Sequence, residues 1–285
     1  MEDGQHQPQS GVIAAEFATR LGRATPSRLG EVVGRLVAAL QALTAEMRIT
    51  PEEMRAALAF LAELGHYADA RRQEWVLLAD ALGLSSLVED LAHQRPQGAT
   101  PNTLAGPFYR ADAPDLALGA DLSRDGIGVP LAVRGRVVDL SGAGLGGALV
   151  EVWQANSAGK YENQEPDGQP EHNLRGRFCA DAQGRFAFRS VMPKGYALPA
   201  DGPAGRLLTA LGLGLERPAH LHFRVAAEGH EKLTTHIFDR ADPAIGRDAI
   251  FGVKPELLAD FRPADTGGDA RALDLKLVLC PLRQG

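Results

Sequence analysis

The chain has 285 residues, of which 45% are apolar and 23% charged, so it can form one large or two modest globular domains. Its net charge of −6 argues against nucleic acid or an anionic membrane as the main partner, since both favour a basic surface. Two cysteines, Cys179 and Cys280, are too few for a disulfide framework. The first ten residues lack the apolar segment of a signal peptide, and no apolar run reaches the roughly 18 residues of a membrane span. We therefore expect a soluble cytoplasmic protein.

The first hundred residues are predicted to be helical, because they contain 8 glycines and 4 prolines against 24 and 14 in the remainder. Pro51 after Thr50 is typical of a helix start, and Gly83 of a helix end. The predicted helices cover residues 28–47, a segment that begins at Pro51, residues 69–82 and a short segment at 85–94. Their apolar faces need a partner, either the rest of the chain or a second subunit.

From residue 131 the apolar residues alternate, which predicts short strands separated by Gly/Pro turns. The predicted strands are residues 131–140, 148–155, 184–191, 220–227, 233–239 and 273–279. The polar segment 154–177 is long for a loop inside a domain, and such loops are usually functional. The predicted fold class is mainly β with α: a helical domain over residues 1–100, followed by a β-sandwich domain over residues 101–285.

Two histidines alternate in the segment Arg217-Pro-Ala-His220-Leu-His222. Residues i and i+2 of a strand point to the same side, so His220 and His222 present two imidazoles suited to a metal. Two hydrogen-bonding histidines on a half-exposed strand are the alternative. The two cysteines are too far apart for a structural zinc site, and Glu228 is one position too late for the iron-binding pattern of a cupin.

Two of the four tyrosines, Tyr161 and Tyr196, lie in turn-like segments beside glycines. A tyrosinate is a hard anionic oxygen that suits Fe(III), and a bound cation can lower the pKa of the phenol far below about 10. Together with the two histidines, these side chains would supply the charge and the donors of a ferric centre. The alternative is structural, with Tyr196 as a corner tyrosine of the sandwich and Tyr161 packed in a loop.

Several motifs in one order resemble the intradiol ring-cleavage dioxygenases, the non-haem Fe(III) enzymes of the catechol and hydroxyquinol 1,2-dioxygenase group. They are EWVLLADALGLSSLVEDL, GPFYRADAP, ALVEVWQANSAGKYENQ, MPKGYALPADGP, RPAHLHF, LTTHIFD and IFGVKPELLADF. The resemblance covers most of the chain from about residue 25 onward. It implies one Fe(III) per chain, bound by Tyr161, Tyr196, His220 and His222.

The resemblance also implies catalytic roles for two residues. Tyr196 would be the ligand that leaves the iron when an aromatic diol binds, taking up a proton from it. Arg217 would lie beside the substrate ring and stabilise charge there; an ordinary surface ion pair is the alternative.

One position departs from the common family pattern and bears on the substrate. The family often has Gln where this chain has His236, and histidine here resembles the hydroxyquinol branch. We expect substrate contacts from Gly106, Pro107, Phe108, Arg217 and His236, with Leu87 and Asp90 as further candidates on the preceding helix. The expected reaction is cleavage of hydroxyquinol by O2 to maleylacetate; catechol or chlorocatechol, giving cis,cis-muconates, is the alternative. His236 as a fifth iron ligand is a further alternative.

Other functions and partners remain open at this point. The segment RGRVVDLSGAGLGGALVEVW also resembles transthyretin-like and carboxypeptidase-regulatory sandwiches, which would make the chain a binding module. A zinc-dependent hydrolase is a third possibility. The dioxygenase resemblance implies a homodimer formed through the N-terminal helices, with a phospholipid held between them. The apolar face from Val32 to Leu43 is compatible with that lipid, although ordinary dimer packing explains it equally well.

Overall fold

Of the described elements, five of the six α-helices lie in the first hundred residues, and all the strands lie from Pro130 onward. The computed structural model describes residues 10–23, 25–69, 72–165, 167–265 and 268–282. The helices are α1 (Ser10–Gly22), α2 (Arg28–Glu46), α3 (Pro51–Tyr67), α4 (Glu74–Ala81), α5 (Leu84–Ala92) and α6 (Pro203–Ala210). The strands are β1 (Pro130–Val138), β2 (Leu149–Gln154), β3 (Arg175–Cys179), β4 (Arg185–Val191), β5 (Tyr196–Ala197), β6 (Glu216–Arg217), β7 (His220–Ala226), β8 (Leu233–Asp239), β9 (Leu258–Ala259), β10 (Arg262–Pro263) and β11 (Arg271–Val278). No described helix combines the length and the apolar character that crossing a membrane requires.

The chain divides into two compact units, Met1–His66 and Tyr67–Gly285. In the first unit α1 packs against α2. Helix α3 begins as expected after Thr50, whose hydroxyl accepts from the Glu53 backbone N–H at 3.2 Å while the Glu53 carboxylate accepts from the Thr50 N–H at 2.8 Å. None of the α2 residues is buried, and its apolar face, which includes Leu36 and Leu40, is exposed in the single chain.

The second unit contains two packed sheets. The strand orders are β10-β11-β1-β4 in one sheet and β3-β2-β7-β8-β9 in the other, while β5 and β6 form a separate pair. Aromatic rings join the two sheets: Phe178 of β3 stacks on Phe188 of β4 with ring centroids 5.4 Å apart, and Phe188 contacts Phe223 of β7 at 6.4 Å. All three are fully buried. The predicted fold class, helices followed by a β-sandwich, is confirmed.

The six predicted strands form, as β1, β2, β4, β7, β8 and β11, and three of the predicted helices form near their expected bounds. The helix expected over 69–82 was predicted to begin too early: α4 begins at Glu74. The Asp69 carboxylate accepts from the Arg72 backbone N–H at 2.7 Å, and the Asp69 N–H donates to the Arg72 carbonyl at 2.8 Å, so Asp69 lies before the helix and not in it. The elements α1, α6, β3 and the two-residue strands were not predicted.

Candidate metal centre

The two alternating histidines lie on β7, in the middle of the five-stranded sheet, and both are buried. Their Nε2 atoms are 3.2 Å apart. His220 Nδ1 lies 2.7 Å from the Pro218 carbonyl oxygen, which can only accept, so Nδ1 carries the proton and Nε2 keeps its lone pair. The half-exposed strand considered above is therefore not what forms, and His220 is oriented as a metal-binding histidine.

A tight turn brings Tyr161 to these histidines. The Asn156 side chain accepts from the backbone N–H groups of Ala158 and Lys160, which closes the turn. Gly159 has a φ of +79°, and a side chain there would have its Cβ 3.0 Å from the Gly195 carbonyl oxygen. Glycine is therefore needed for this turn to lie against the segment that carries the second tyrosine.

The Tyr161 hydroxyl oxygen lies 2.9 Å from His222 Nε2 and 3.4 Å from His220 Nε2. A histidine nitrogen binds a metal such as zinc at about 2.0–2.1 Å, so adjacent ligands roughly at right angles on one ion stand about 3 Å apart. The Tyr161 oxygen and the Nε2 atoms of His220 and His222 therefore stand at distances that fit ligands of a common metal ion.

The second tyrosine, Tyr196, lies on β5 directly opposite Arg217 of β6. Its ring is 5.8 Å from that of Tyr161 and nearly perpendicular to it, and 5.8 Å from that of His220. The Arg217 Nη1 donor is 3.4 Å from the Tyr196 hydroxyl. Arg217 Nε bonds to Asp248 Oδ1 at 3.0 Å with both side chains buried, so this arginine is not part of a surface ion pair.

Burial dominates the electrostatics of the centre. Burial lowers the pKa values of His220, His222 and His236 well below the ordinary range, with Arg217 acting in the same direction, so the imidazoles are neutral and able to bind a metal. Burial, assisted by Tyr196, raises the pKa of Tyr161 well above 10. This phenol therefore becomes anionic only if a cation binds to it.

A third imidazole faces the same centre. His236 of β8 pairs with His222 in register, and their ring centroids are 4.2 Å apart. Donor nitrogens of His220, His222 and His236 all lie within 4.8 Å of one another. The Thr103 hydroxyl lies 2.6 Å from His236 Nδ1 and holds the ring.

The loop expected to line the ring site also reaches the centre. Gly106 has a φ of +70°, and a Cβ on it would lie 3.6 Å from His222 Cε1. Phe108 stacks on Tyr161 with ring centroids 4.4 Å apart. Pro107, which lies between Gly106 and Phe108 in the chain, is exposed.

The two further candidates for substrate contact, Leu87 and Asp90, lie on α5. Asp90 pairs with Lys254, and Leu87 is 55% exposed.

One side chain that packs on the centre and one that interacts electrostatically with Arg217 were not predicted. Trp153 of β2 stacks on His222, with ring centroids 4.6 Å apart and planes 13° from parallel. Aligning β2 with β7 would have revealed it, because Trp153 pairs with His222 in register. Asp80 of α4 interacts with the charge of Arg217: burial raises the pKa of Asp80, while Ser85 and Arg217 lower it. The signal for Asp80 was a single acid inside the apolar run WVLLADALGL.

Comparison with known protein families agrees with this architecture. Residues 104–281 match the family described as dioxygenase, and residues 27–100 match the catechol dioxygenase N terminus. The chain belongs to the intradiol ring-cleavage dioxygenase family and is an enzyme of that class.

Its relatives include two curated enzymes and one solved structure. It is 45% identical to the hydroxyquinol 1,2-dioxygenase of Rhizobium sp. (strain MTP-10005), over 86% of this chain and 83% of that protein. It is 39% identical to the 6-chlorohydroxyquinol 1,2-dioxygenase of Cupriavidus pinatubonensis, over 98% of this chain and 99% of that protein. The structure of hydroxyquinol 1,2-dioxygenase from Pseudomonas putida DLL-E4 superposes with a TM-score of 0.92 at 34% identity, covering 97% of this chain and all of that one.

Proposed function

We propose that this chain is a hydroxyquinol 1,2-dioxygenase, which uses O2 to open benzene-1,2,4-triol between its two adjacent hydroxyl-bearing carbons. The product is 3-hydroxy-cis,cis-muconate, which tautomerises to maleylacetate. The observation that carries the proposal is the convergence of Tyr161, His220 and His222, whose donor atoms are 2.9–3.4 Å apart. The similarity to enzymes named for hydroxyquinol supports the substrate.

The metal of the proposal is one Fe(III) per chain, held by Tyr161, Tyr196, His220 and His222. Neutral imidazoles combined with tyrosinates suit a hard trivalent ion and favour its oxidised form. When bound, the ion acts as a Lewis acid and allows an aromatic diol to react with O2. Trp153 stacks on His222, and the Pro218 carbonyl orients His220, so the histidines are held in place before any ligand arrives.

Proton transfer and charge stabilisation fall to Tyr196 and Arg217. In the proposal, the Tyr196 oxygen takes a proton from a substrate hydroxyl as the diol binds. Arg217, 3.4 Å from that oxygen, stabilises negative charge on the deprotonated ring. Asp248 holds the guanidinium in place from the other side at 3.0 Å. Phe108, Gly106 and Pro107 belong to the loop that lines the ring site.

His236 is the residue to which we assign the choice of substrate. Its Nε2 is buried and has no hydrogen-bond partner among the described residues, while Thr103 holds its Nδ1. The third hydroxyl of hydroxyquinol supplies that partner. A site built to bond a hydroxyl discriminates strongly against an analogue that lacks it, because its polar atom is then left unpaired. Asp80, near Arg217, is a second candidate partner for this hydroxyl.

We further propose that residues 1–100 form a linker domain through which two copies dimerise, and that residues 101–285 form the catalytic domain. The exposed apolar face of α2 supports dimerisation, since such a face is stabilised by a partner. A groove of about 900 Å³ between α1 and α2, lined by residues such as Phe17 and Leu21, supports a bound phospholipid. The two free cysteines fit a cytoplasmic location.

A panel of substrates tests the proposal. Steady-state rates would be measured on hydroxyquinol, catechol, chlorocatechols and protocatechuate, together with the iron content of the purified protein. We expect the highest kcat/KM on hydroxyquinol. Equal or better efficiency on catechol contradicts the substrate assignment while leaving the reaction class intact. A protein that neither contains iron nor cleaves any of these diols contradicts the proposed function.

A further inference from the structure

One buried arginine has no part in the proposed chemistry but lies beside it. Arg175 begins β3 and is 2% exposed. The residue before it, Leu174, has a φ of +59°, in the left-handed region that a bulky side chain rarely adopts. Such strain persists only where the surrounding contacts hold the backbone firmly. The chain therefore tolerates an unfavourable backbone conformation immediately before this guanidinium.

The guanidinium bonds to two separate segments. Its Nε donates to Glu162 Oε2 at 2.6 Å, and its Nη2 lies 3.3 Å from Asn163 Oδ1; both partners directly follow Tyr161 in the chain. Its Nη1 donates to the carbonyl oxygen of Phe108, in the loop that lines the ring site. Arginine suits this position because its planar group offers several donors in fixed directions, which a lysine does not.

The two segments that Arg175 joins also contact each other through their aromatic rings. The rings of Phe108 and Tyr161 stack with centroids 4.4 Å apart and planes 22° from parallel. Arg175 Cζ lies 5.9 Å from the centroid of the Tyr161 ring. A second link runs in parallel, because Arg110, two residues after Phe108, donates to Glu162 Oε1 at 3.0 Å. The Glu162 carboxylate thus bridges two arginines, Arg175 of β3 and Arg110 of the loop that follows Phe108.

We propose that Arg175 is a positioning residue that ties the turn carrying Tyr161 to the loop carrying Phe108. By holding both, it sets the distance between a metal-binding oxygen and the side chain that lines the substrate ring. The proposal rests on the proposed function in one respect, the roles of Tyr161 and Phe108. A buried ion pair that serves only to stabilise the fold is the competing explanation.

The first test is structural and does not depend on iron or activity. Arg175→Met keeps the approximate length of the side chain and removes its donors. Arg177→Met is the matched control, because Arg177 lies two residues along the same strand and pairs with Asp115 at 3.1 Å. We expect crystal structures to show the Phe108 and Tyr161 rings separated in Arg175→Met and stacked in Arg177→Met. Rings still stacked at the wild-type distance in Arg175→Met overturn the proposal.

The second test separates positioning from stability in the iron-loaded enzyme. A displacement of about 1 Å can cost up to about 100-fold in efficiency. We therefore expect Arg175→Lys and Arg175→Met to lower kcat/KM about ten- to a hundredfold, with a rise in KM because the displaced Phe108 loop lines the ring site, and to shift the tyrosinate-to-iron absorption band. If KM and the absorption band of both Arg175 variants equal those of Arg177→Met, the proposal is overturned. A fall in melting temperature alone would show only that Arg175 stabilises the fold.

Glu162→Gln keeps the test decisive if the Arg175 variants do not fold. It preserves the size of the carboxylate that bridges the two arginines and removes its charge, and we expect the same direction of change in KM and band. Wild-type values in Glu162→Gln overturn the positioning role. A wild-type protein that lacks iron and activity contradicts the proposed function instead, and the ring-stacking comparison still decides the role of Arg175.

Discussion

The hydroxyl oxygen of Tyr161 lies 2.9 Å from Nε2 of His222, although 61 positions separate the two residues in the chain. That distance suits a hydrogen bond between a neutral phenol and a neutral imidazole. It equally suits two neighbouring ligands of one metal ion. The phenol oxygen and this imidazole nitrogen can thus hydrogen-bond to each other without a metal, and both can bind a metal ion when one is present.

Tyr161→Phe removes one anionic donor and nothing else from the centre. Loss of a residue that merely supports a metal ligand typically weakens metal affinity about 10- to 100-fold, so loss of a ligand should cost at least as much. We expect the purified variant to lose most of its iron and its tyrosinate-to-iron colour, measured by metal analysis and visible absorption. Tyr67→Phe is the control, since Tyr67 contacts Arg72 and Arg206. Unchanged colour and iron in Tyr161→Phe would show that it is not a ligand.

His222→Ala should abolish iron binding outright. The His222 ring stacks on Trp153 of the paired strand β2, so its nitrogen is held at a fixed place in the centre, and removing the ring removes one of the four proposed ligands. His230→Ala is a matched control, because His230 is a histidine in the hairpin after β7 whose Nδ1 bonds to the Glu228 carbonyl. Iron content near one per chain in both variants would contradict the proposed ligand set.

Tyr196→Phe should separate metal binding from catalysis. Positioned proton transfer contributes about 100- to 10,000-fold to a rate, so we expect kcat to fall within that range while part of the iron stays bound. Rapid mixing of the iron-loaded variant with catechol would follow deprotonation directly, and we expect that step to be slowed. Turnover at the wild-type rate would rule out proton uptake by Tyr196.

His236→Gln should change the preference among substrates. The substitution replaces an imidazole, which Thr103 holds in place and whose Nε2 has no hydrogen-bond partner among the described residues, by a flexible amide, so the proposed contact with hydroxyquinol is no longer held in one orientation. We expect the ratio of kcat/KM for hydroxyquinol to that for catechol to fall about tenfold or more. Loss of iron in this variant would instead favour His236 as a fifth ligand. An unchanged ratio with full iron content would mean that another residue, such as Asp80, selects the substrate.

The parts of the fold with strong local signals could be predicted from the sequence. Alternation defined β1, β2, β4, β7, β8 and β11, and Pro51 directly after Thr50 marked the start of α3. Strand β3 was missed because the buried Arg175 interrupts the apolar pattern and an unusual φ at Leu174 precedes it. Its position depends on partners far away in the chain, and no local pattern records those.

The same limit applies to the candidate site. The candidate ligands were identifiable from residue type and from family motifs, but those carry no information on cross-strand neighbours. The stacking of Trp153 on His222 depends on the β2–β7 register. The influence of Arg217 on Asp80 depends on how α4 packs in the second unit. For Asp90, likewise, the sequence carried no sign of its ion pair with Lys254, which lies 164 positions further along the chain.

The most direct test of the central claim is cleavage of hydroxyquinol under ¹⁸O2, followed by mass spectrometry of the product. An intradiol dioxygenase opens the ring between the two adjacent hydroxyl-bearing carbons and incorporates both oxygen atoms of one O2 molecule. We therefore expect 3-hydroxy-cis,cis-muconate, or its tautomer maleylacetate, carrying two ¹⁸O atoms in its carboxylates. A product opened outside the diol carbons, or one that carries a single ¹⁸O atom or none, would contradict the account.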